Sequence, residues 1–259
     1  MSLKVSIIIP VHNEEQIIEK TIKSVIKAMK KYFYEIIVVD DNSNDSTEKI
    51  LDSLCKRNRR IRVIHKIRLK PGPTGLGSAL KTGFNIATGE IIIPFMGDMS
   101  DNPNDIIKFT KKIEDGYDVV CGSRFVSDSS LNDYPFIKLA VNRIYNNVFS
   151  LLFNLKINDI SNAFKAYRKK IIKTVKPTSD GFEITSEIVL KAHINGFKIG
   201  QIPVSWQESR VKRKSKFGSF SSLSFLFFKL PKIGISYVRL SLILWFEFLF
   251  KSITRFFKF

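Results

Sequence analysis

Acidic residues are in short supply. Against 42 lysines and arginines the 259-residue chain sets only 24 aspartates and glutamates, a net charge of +18. An excess of that size favours a polyanionic partner, either nucleic acid or an anionic membrane surface. Cysteine is scarcer still. Cys55 and Cys121 lie far apart with no metal-ligand spacing, and they read as buried thiols in a reducing compartment rather than as a disulfide. No apolar run approaches the roughly 20 residues that a bilayer core demands. The longest, Leu240 to Phe250, is interrupted by Glu247 and bounded by Arg239 and Lys251. No secretory leader is expected ahead of the first apolar segment, which starts within a few residues of Met1. Internal repeats and long Ser/Gly linkers are missing too. Gly75-Leu76-Gly77 falls short of the dinucleotide fingerprint and argues against a classical Rossmann cofactor site.

What is present is an alternation of short apolar runs with amphipathic stretches. Hydrophobic content of 44% is ordinary for a folded core, so wholesale disorder is excluded. LKVSIIIPVHN predicts a strand closed by Pro10 and a turn in which Asn13 caps a helix. Along that helix Ile17, Ile18, Thr21, Ile22, Val25, Ile26 and Met29 form one stripe. EIIVVDD is a second strand ending in Asp40 and Asp41, followed by a helix from about Ser46; IRVIHK is a third strand. A Gly-rich loop, a helix, the strand at Ile91, another helix and DVVCGSR complete the pattern. From Leu3 to Arg124 this alternation indicates a parallel sheet wound on both faces. Further on, Phe136 to Asn154 reads as a helix, NDISNAFKAYRK as a turn and strand, and FEITSEIVLKAHINGFKIGQIPVSW as a helix and an edge strand.

The stretch IIIPFMGDMSDNP, Ile91 to Pro103, organises the chain. Its apolar run ends at Gly97, and Asp98 and Asp101 follow. Ligands of open α/β sheets bind beyond the carboxyl ends of strands. Carboxylates there, beside a glycine that admits a ligand, suit a hard cation and a phosphate. Asp101-Asn102-Pro103 equally suits a cap for the next helix, and both readings stand.

After a basic cluster of Arg210, Lys212, Arg213, Lys214 and Lys216, the last forty residues are dominated by Phe, Leu and Ile with interspersed Lys and Arg. This composition is expected to form an interfacial membrane helix, the alternative being a core helix packed on the preceding domain.

With these motifs placed, the chain resembles the inverting family 2 glycosyltransferases. Within them it is most similar to dolichol-phosphate mannose synthases and bacterial polyprenyl-phosphate sugar transferases. SIIIPVHNE, EIIVVDDNSNDST, GLGSALKTGFNIATGEIII, GSR, DISNAFKAYRK and the RxxRxSKF segment match the family's blocks in register. The family's Asp-x-Asp is Met96-Gly97-Asp98 here, so the first acidic ligand is missing. His12 replaces an aromatic residue, Arg213 replaces a late glycine, and SNAFK stands for TSGFR.

The resemblance implies a GT-A type (Rossmann-like) α/β fold, mostly parallel, over residues 1–218, with an amphipathic membrane-associating segment over 219–259. It implies a nucleotide-sugar donor, GDP-mannose or UDP-hexose, bound by Pro10, His12, Glu14, Asp40, Asp41, Gly97 and Asp98. A divalent metal, Mg2+ or Mn2+, would sit on Asp98 with Asp101. Arg124 would assist at a phosphate, and Arg143, Arg210 and Lys216 would receive a polyprenyl or dolichyl phosphate. Such an acceptor is already ionised and needs no base. Asp98, Arg124, Arg210 and Lys216 would form the catalytic group. The expected location is the cytoplasmic face of a membrane, peripheral or monotopic, with no nucleic-acid partner. Two alternatives remain. One is a hydroxyl acceptor served by Glu183 or Glu187 as base; the other is a non-catalytic membrane- or nucleic-acid-binding protein on the same fold.

Overall fold

Each short run of valine and isoleucine becomes a strand buried on both faces. The computed structural model describes residues 3–66, 75–132, 134, 136–207 and 230–256. β1 (Val5–Val11), β2 (Tyr34–Asp40) and β4 (Ile91–Pro94) are buried at every position. Pleating sends Ile7 and Ile9 of β1 into one core and Ile8 into the other. With β3 (Ile61–His65), β5 (Val119–Ser123), β7 (Lys165–Arg168) and β8 (Ile199–Pro203) they form a seven-stranded sheet in the order β3-β2-β1-β4-β7-β5-β8. β6 (Ser130–Asn132) and β9 (Ser205–Gln207) pair separately.

Helices α1 (Ile18–Ala28), α2 (Thr47–Arg57) and α4 (Asp105–Glu114) cover one face. The other is covered by α3 (Leu76–Ile86), α5 (Phe136–Leu152), α6 (Lys169–Val175), α7 (Ile184–Ile194) and α8 (Leu230–Phe256). The stripe expected on α1 faces its core, with Ile18, Thr21, Ile22 and Val25 buried. On α8, Leu244 is buried against the core while the opposite face is exposed, so this helix both packs on the domain and keeps an unpartnered side. Among the described residues no helix is long and apolar enough to cross a membrane. The expected boundary at residue 218 lies outside the described residues.

The five strands up to Arg124 all run in one direction, as expected; β7, from later in the chain, is inserted antiparallel between β4 and β5 (Ile92↔Tyr167, Val120↔Ala166) and makes the whole sheet mixed. Two local expectations are corrected. Pro10 does not close β1, which continues to Val11. Ile8 O accepts from Phe95 N–H on the β4 side, and Val11 O accepts from Asp41 N–H on the β2 side. By alternation, the N–H that Pro10 lacks would face β4, which has already ended at Pro94, so no ladder bond is lost. Nor does Asn13 cap α1. It is left-handed (φ 57°), and its Oδ1 accepts from Asn44 N–H at 2.8 Å.

Candidate active site at the strand ends

The carboxyl ends of β1, β2 and β4 meet where side chains of one turn satisfy the backbone of the next. Asn13 N–H donates to Ser43 Oγ (2.9 Å), and Glu14 N–H donates to Thr47 Oγ1 (2.8 Å). His12 Nδ1 lies 2.9 Å from the Asp41 carbonyl oxygen. These bonds fix the positions of His12 and Glu14 without help from a ligand.

Asp40 and Asp41 turn to different partners, as adjacent strand residues must. Asp40 is buried. Its Oδ1 accepts from Ser43 N–H (3.0 Å) and Oγ (2.6 Å), and its Oδ2 is 2.9 Å from His65 Nδ1. The other His65 nitrogen reaches Asp52 at 3.2 Å. Burial works to lower the His65 pKa, but bonds to the two carboxylates outweigh it and raise the pKa above its ordinary value. Asp41 instead meets Lys66 Nζ (3.1 Å) and accepts from Gly75 N–H (3.1 Å), at the lip of α3.

Beyond β4 the chain reverses through Met99, a non-glycine residue at φ 56°. Asp98 is half-buried, and its Oδ1 accepts from Ser100 N–H at 3.0 Å. Asp101 does not cap α4, whose N-cap is Asn104; it bridges Trp206 through the backbone. The Asp101 carboxylate is buried, with Oδ1 lacking any hydrogen-bond partner among the described residues. Burial, then the charge of Asp98, push its carboxyl up to about 8 against the opposing charge of Arg124. At Gly97 the side-chain direction is filled by β1: a Cβ there would lie 2.8 Å from Val11 Cγ1 and 3.2 Å from Pro10 O.

The Asp98–Asp101 pair suits a hard divalent cation. Both are carboxylates, one has an orphaned buried oxygen, and Mg2+ is commonly held by one or two carboxylates plus substrate phosphates. The one trio of described His, Asp and Glu side chains with ligand atoms within 4.8 Å of each other lies elsewhere, at Glu48, Asp52 and His65. That trio is already engaged by the ion pair of His65 with Asp52.

Arg124 is buried and committed to Asp159. Its Nε donates at 2.7 Å and one Nη at 3.0 Å to the two carboxylate oxygens, and its backbone N–H adds a bond of 3.2 Å. Burial alone would lower the pKa of Arg124; the charge of Asp159 reverses this and raises it. The remaining Nη donates to Tyr134 Oη at 3.2 Å, and Tyr134 stands edge-on to Trp206. Asn146 of α5 holds the Asp159 turn, its Oδ1 accepting from Ile160 N–H at 2.8 Å. Arg143, also on α5, lies over the Phe125 ring and donates weakly to Asn158 O.

Of the two glutamates on or beside α7, Glu187 is buried. It accepts from Thr178 N–H and Ser179 N–H (2.9 Å each) and pairs with Lys191. Glu183 is half-buried at the helix N-cap, with Gly181 N–H 3.3 Å away. Arg210 and Lys216 lie outside the described residues. Sequence reasoning gave no role to Lys66, Tyr134, Asn146 or Asp159. Asp159 and Asn146 carry no local signal, because their partners lie across turns well separated in the chain.

Comparison with known proteins decides the family. The model described as Glycosyl transferase family 2 matches residues 6–176. The chain belongs to glycosyl transferase family 2. This family 2 chain is 30% identical over 222 residues to "Dolichol-phosphate mannosyltransferase" of Pyrococcus furiosus, covering 83% of this chain and 61% of the relative. It is 26% identical over 212 residues to "Glycosyltransferase AglD" of Haloferax volcanii, covering 79% of this chain and 33% of that protein. The chain therefore spans less than two thirds of the length of either relative. An uncharacterized protein of Methanocaldococcus jannaschii is 31% identical over 209 residues, covering 78% of this chain and 80% of that one. Among solved structures, glucosyl-3-phosphoglycerate synthase from Mycobacterium tuberculosis, in complex with Mn2+, UDP and phosphoglyceric acid, superposes with a TM-score of 0.69 at 16% identity. The match covers 94% of this chain and 78% of that one. The fold is thus the GT-A, Rossmann-like fold expected from the sequence.

Proposed function

We propose that this family 2 chain transfers a sugar from a nucleotide-sugar donor, GDP-mannose or a UDP-hexose, to the phosphate of a polyprenyl or dolichyl lipid. The reaction takes place at the cytoplasmic face of a membrane. The observation that carries the donor half is the orphaned, buried oxygen of Asp101 beside Asp98 at the end of β4. The acceptor half is supported by the similarity to the mannosyltransferase of Pyrococcus furiosus.

The turns after β1 and β2 hold the nucleoside. His12 offers a ring to the base, with Pro10, Glu14 and the Asp40–Asp41 pair around it. Asp40 shapes the turn through Ser43 and His65, leaving Asp41 nearer the ligand. Asp98 and Asp101 are the residues that would hold Mg2+ or Mn2+, which when bound would neutralise charge on the departing diphosphate. Arg124, fixed by Asp159, adds a permanent positive charge on the same side.

An oxygen of the lipid phosphate attacks the anomeric carbon as the bond from that carbon to the diphosphate oxygen breaks. The electron pair leaves with the nucleoside diphosphate, and the configuration inverts. No proton has to be removed, which accords with the engagement of Glu187 in holding residues 178–179. Two phosphates must approach each other, at about 4 kcal/mol per pair of unit charges at ~4 Å and an effective dielectric near 20. Arg143, with Arg210 and Lys216 of the undescribed segment, supplies compensating charge.

Half-buried Glu183 favours a second reading, a hydroxyl acceptor with Glu183 as base. The two are separated by kinetics with a short polyprenyl phosphate and the matching free alcohol, after a donor screen that follows nucleotide release. The lipid-phosphate reading expects the phosphate to be the better acceptor, Glu183→Gln to stay active, and Arg210→Ala or Lys216→Ala to impair transfer far more than nucleotide binding. A better alcohol acceptor together with an inactive Glu183→Gln overturns it.

A further inference from the structure

Among the described residues, large exposed hydrophobic side chains concentrate on two helices. Of thirteen among the described residues, twelve lie on α5 and α8, and only Phe33 lies elsewhere. On α5, Val141, Ile144, Val148 and Leu151 recur at three- and four-residue intervals. On α8, Val238, Leu242, Phe246 and Phe250 recur every four residues. Exposure runs from 37% at Val141 to 83% at Leu151, so these are outer faces and not the margins of a core.

Ring contacts join Tyr145 to Tyr237 (5.1 Å) and Phe153 to Phe248 (5.6 Å), in the same order along both segments, so the helices run parallel. The inner sides of both pack on the same core, through Phe149 of α5 and Leu244 of α8, and the apolar stripes turn away from it. In sequence, α5 carries Lys138 and Arg143 with no acid. α8 carries Lys232, Arg239, Lys251 and Arg255 against Glu247, which is itself paired with Lys251.

We infer that the outer faces of α5 and α8 together form a monotopic docking surface for an anionic bilayer leaflet. A catalytic-domain helix and the C-terminal helix thus enter the interface side by side. Apolar stripes on helices whose charged residues are almost all cations fit acyl chains beneath anionic headgroups. A second copy would instead present the same positive sign, which disfavours self-association through this face. The purpose of the surface rests on the lipid-acceptor reading, and α5 links the two: its Asn146 holds the Asp159 turn that fixes Arg124. A leaflet seated on α5 would deliver a lipid headgroup beside the site.

The test is co-sedimentation of the full chain with vesicles of phosphatidylcholine containing phosphatidylglycerol, and with pure phosphatidylcholine. Wild type should bind the anionic vesicles at least tenfold more strongly. Ile144→Glu/Leu151→Glu on α5 and Leu242→Glu/Phe246→Glu on α8 should each lower that binding at least tenfold, with Mn2+-dependent GDP or UDP binding in detergent unchanged. Ile144→Trp, a milder change, should gain fluorescence quenching from brominated lipid. Wild-type vesicle binding by the α5 double variant, or no added quenching in Ile144→Trp, overturns the inference. So does a dimer that the α5 variant converts to monomer while vesicle binding persists. Vesicle binding without sugar transfer to any polyprenyl phosphate would instead refute the acceptor reading and leave the docking surface standing.

Discussion

Asp159→Asn removes one charge from a buried pair and leaves the other behind. Asp159 is fully buried and accepts three bonds from Arg124, besides those from Ser161 Oγ (3.1 Å) and Asn162 N–H (3.2 Å). Arg124 is also buried, so its guanidinium has no route to water in place of the lost carboxylate. Breaking a buried pair from one side costs roughly 3–5 kcal/mol. In a domain of this size, at about 2–4 °C per kcal/mol, that is a fall in Tm of roughly 6–20 °C. Removing both charges, as Asp159→Asn with Arg124→Met, should restore most of the stability because no stranded charge remains. Urea unfolding followed by Trp206 fluorescence suits the measurement, since Trp206 packs edge-on to Tyr134 with ring centroids 4.8 Å apart. The argument fails if the single variant loses less than about 1 kcal/mol, or if the double variant is no more stable than the single.

Asp98→Asn should abolish turnover of nucleotide sugar, and Asp101→Ala should weaken Mn2+ affinity less severely; full activity of the Asp98 variant in chelator would remove the metal from the reaction. His65 has a folded pKa above its unfolded value of about 6.5, so its bonds to Asp40 and Asp52 stabilise fully below that value and fade as pH rises through the folded pKa. His65→Gln should abolish this pH-dependent component in denaturation curves; an unchanged slope would show that the pair carries no linkage. Gly77→Ala should destabilise by several kcal/mol or prevent folding, because its Cβ would lie 2.4 Å from Ser179 O and 2.7 Å from Asp180 C, backbone atoms that cannot swing aside. A wild-type melting curve for this variant would show that α3 and the 179–180 turn have room to separate.

Most of the sheet was legible because its central strands write their burial into the sequence as unbroken apolar runs, and α1 does so as a stripe. β7 escaped that logic. NDISNAFKAYRK reads as a turn and a strand, but KAYR has a cation at each end and gives no sign that the strand lies between β4 and β5. Lys165 is fully buried there, its Nζ donating to the carbonyls of Ile160 (2.9 Å) and Asn162. Burial pushes its pKa down to about 8. A lysine satisfied by carbonyls of the preceding turn can occupy a central strand, and nothing in a four-residue window reveals those carbonyls. The same limit hid Asp159 and Lys66, whose partners are joined to them only by the fold.

The site also shows how a missing acid is absorbed. Where the family's metal motif begins with an aspartate, this chain has Met96, which packs against the core of α3 and α7. Loss of that carboxylate would leave Asp98 alone at the strand end. The chain instead reverses at Met99, whose left-handed backbone costs about 1–2 kcal/mol in a residue with a side chain. The reversal lets Ser100 N–H bond Asp98 and sets Asp101 close enough to feel its charge. Burial and the neighbouring Asp98 disfavour the ionised form of Asp101 and push its carboxyl up to about 8, and the folded state bears the strained turn as well. Arg124 and the Met96 backbone oppose this rise, and Arg124 is already bound to Asp159. Asp101 caps nothing, so a helix cap does not explain the pair; a buried carboxyl with an unbonded oxygen beside a second carboxylate fits the metal-holding role proposed for it.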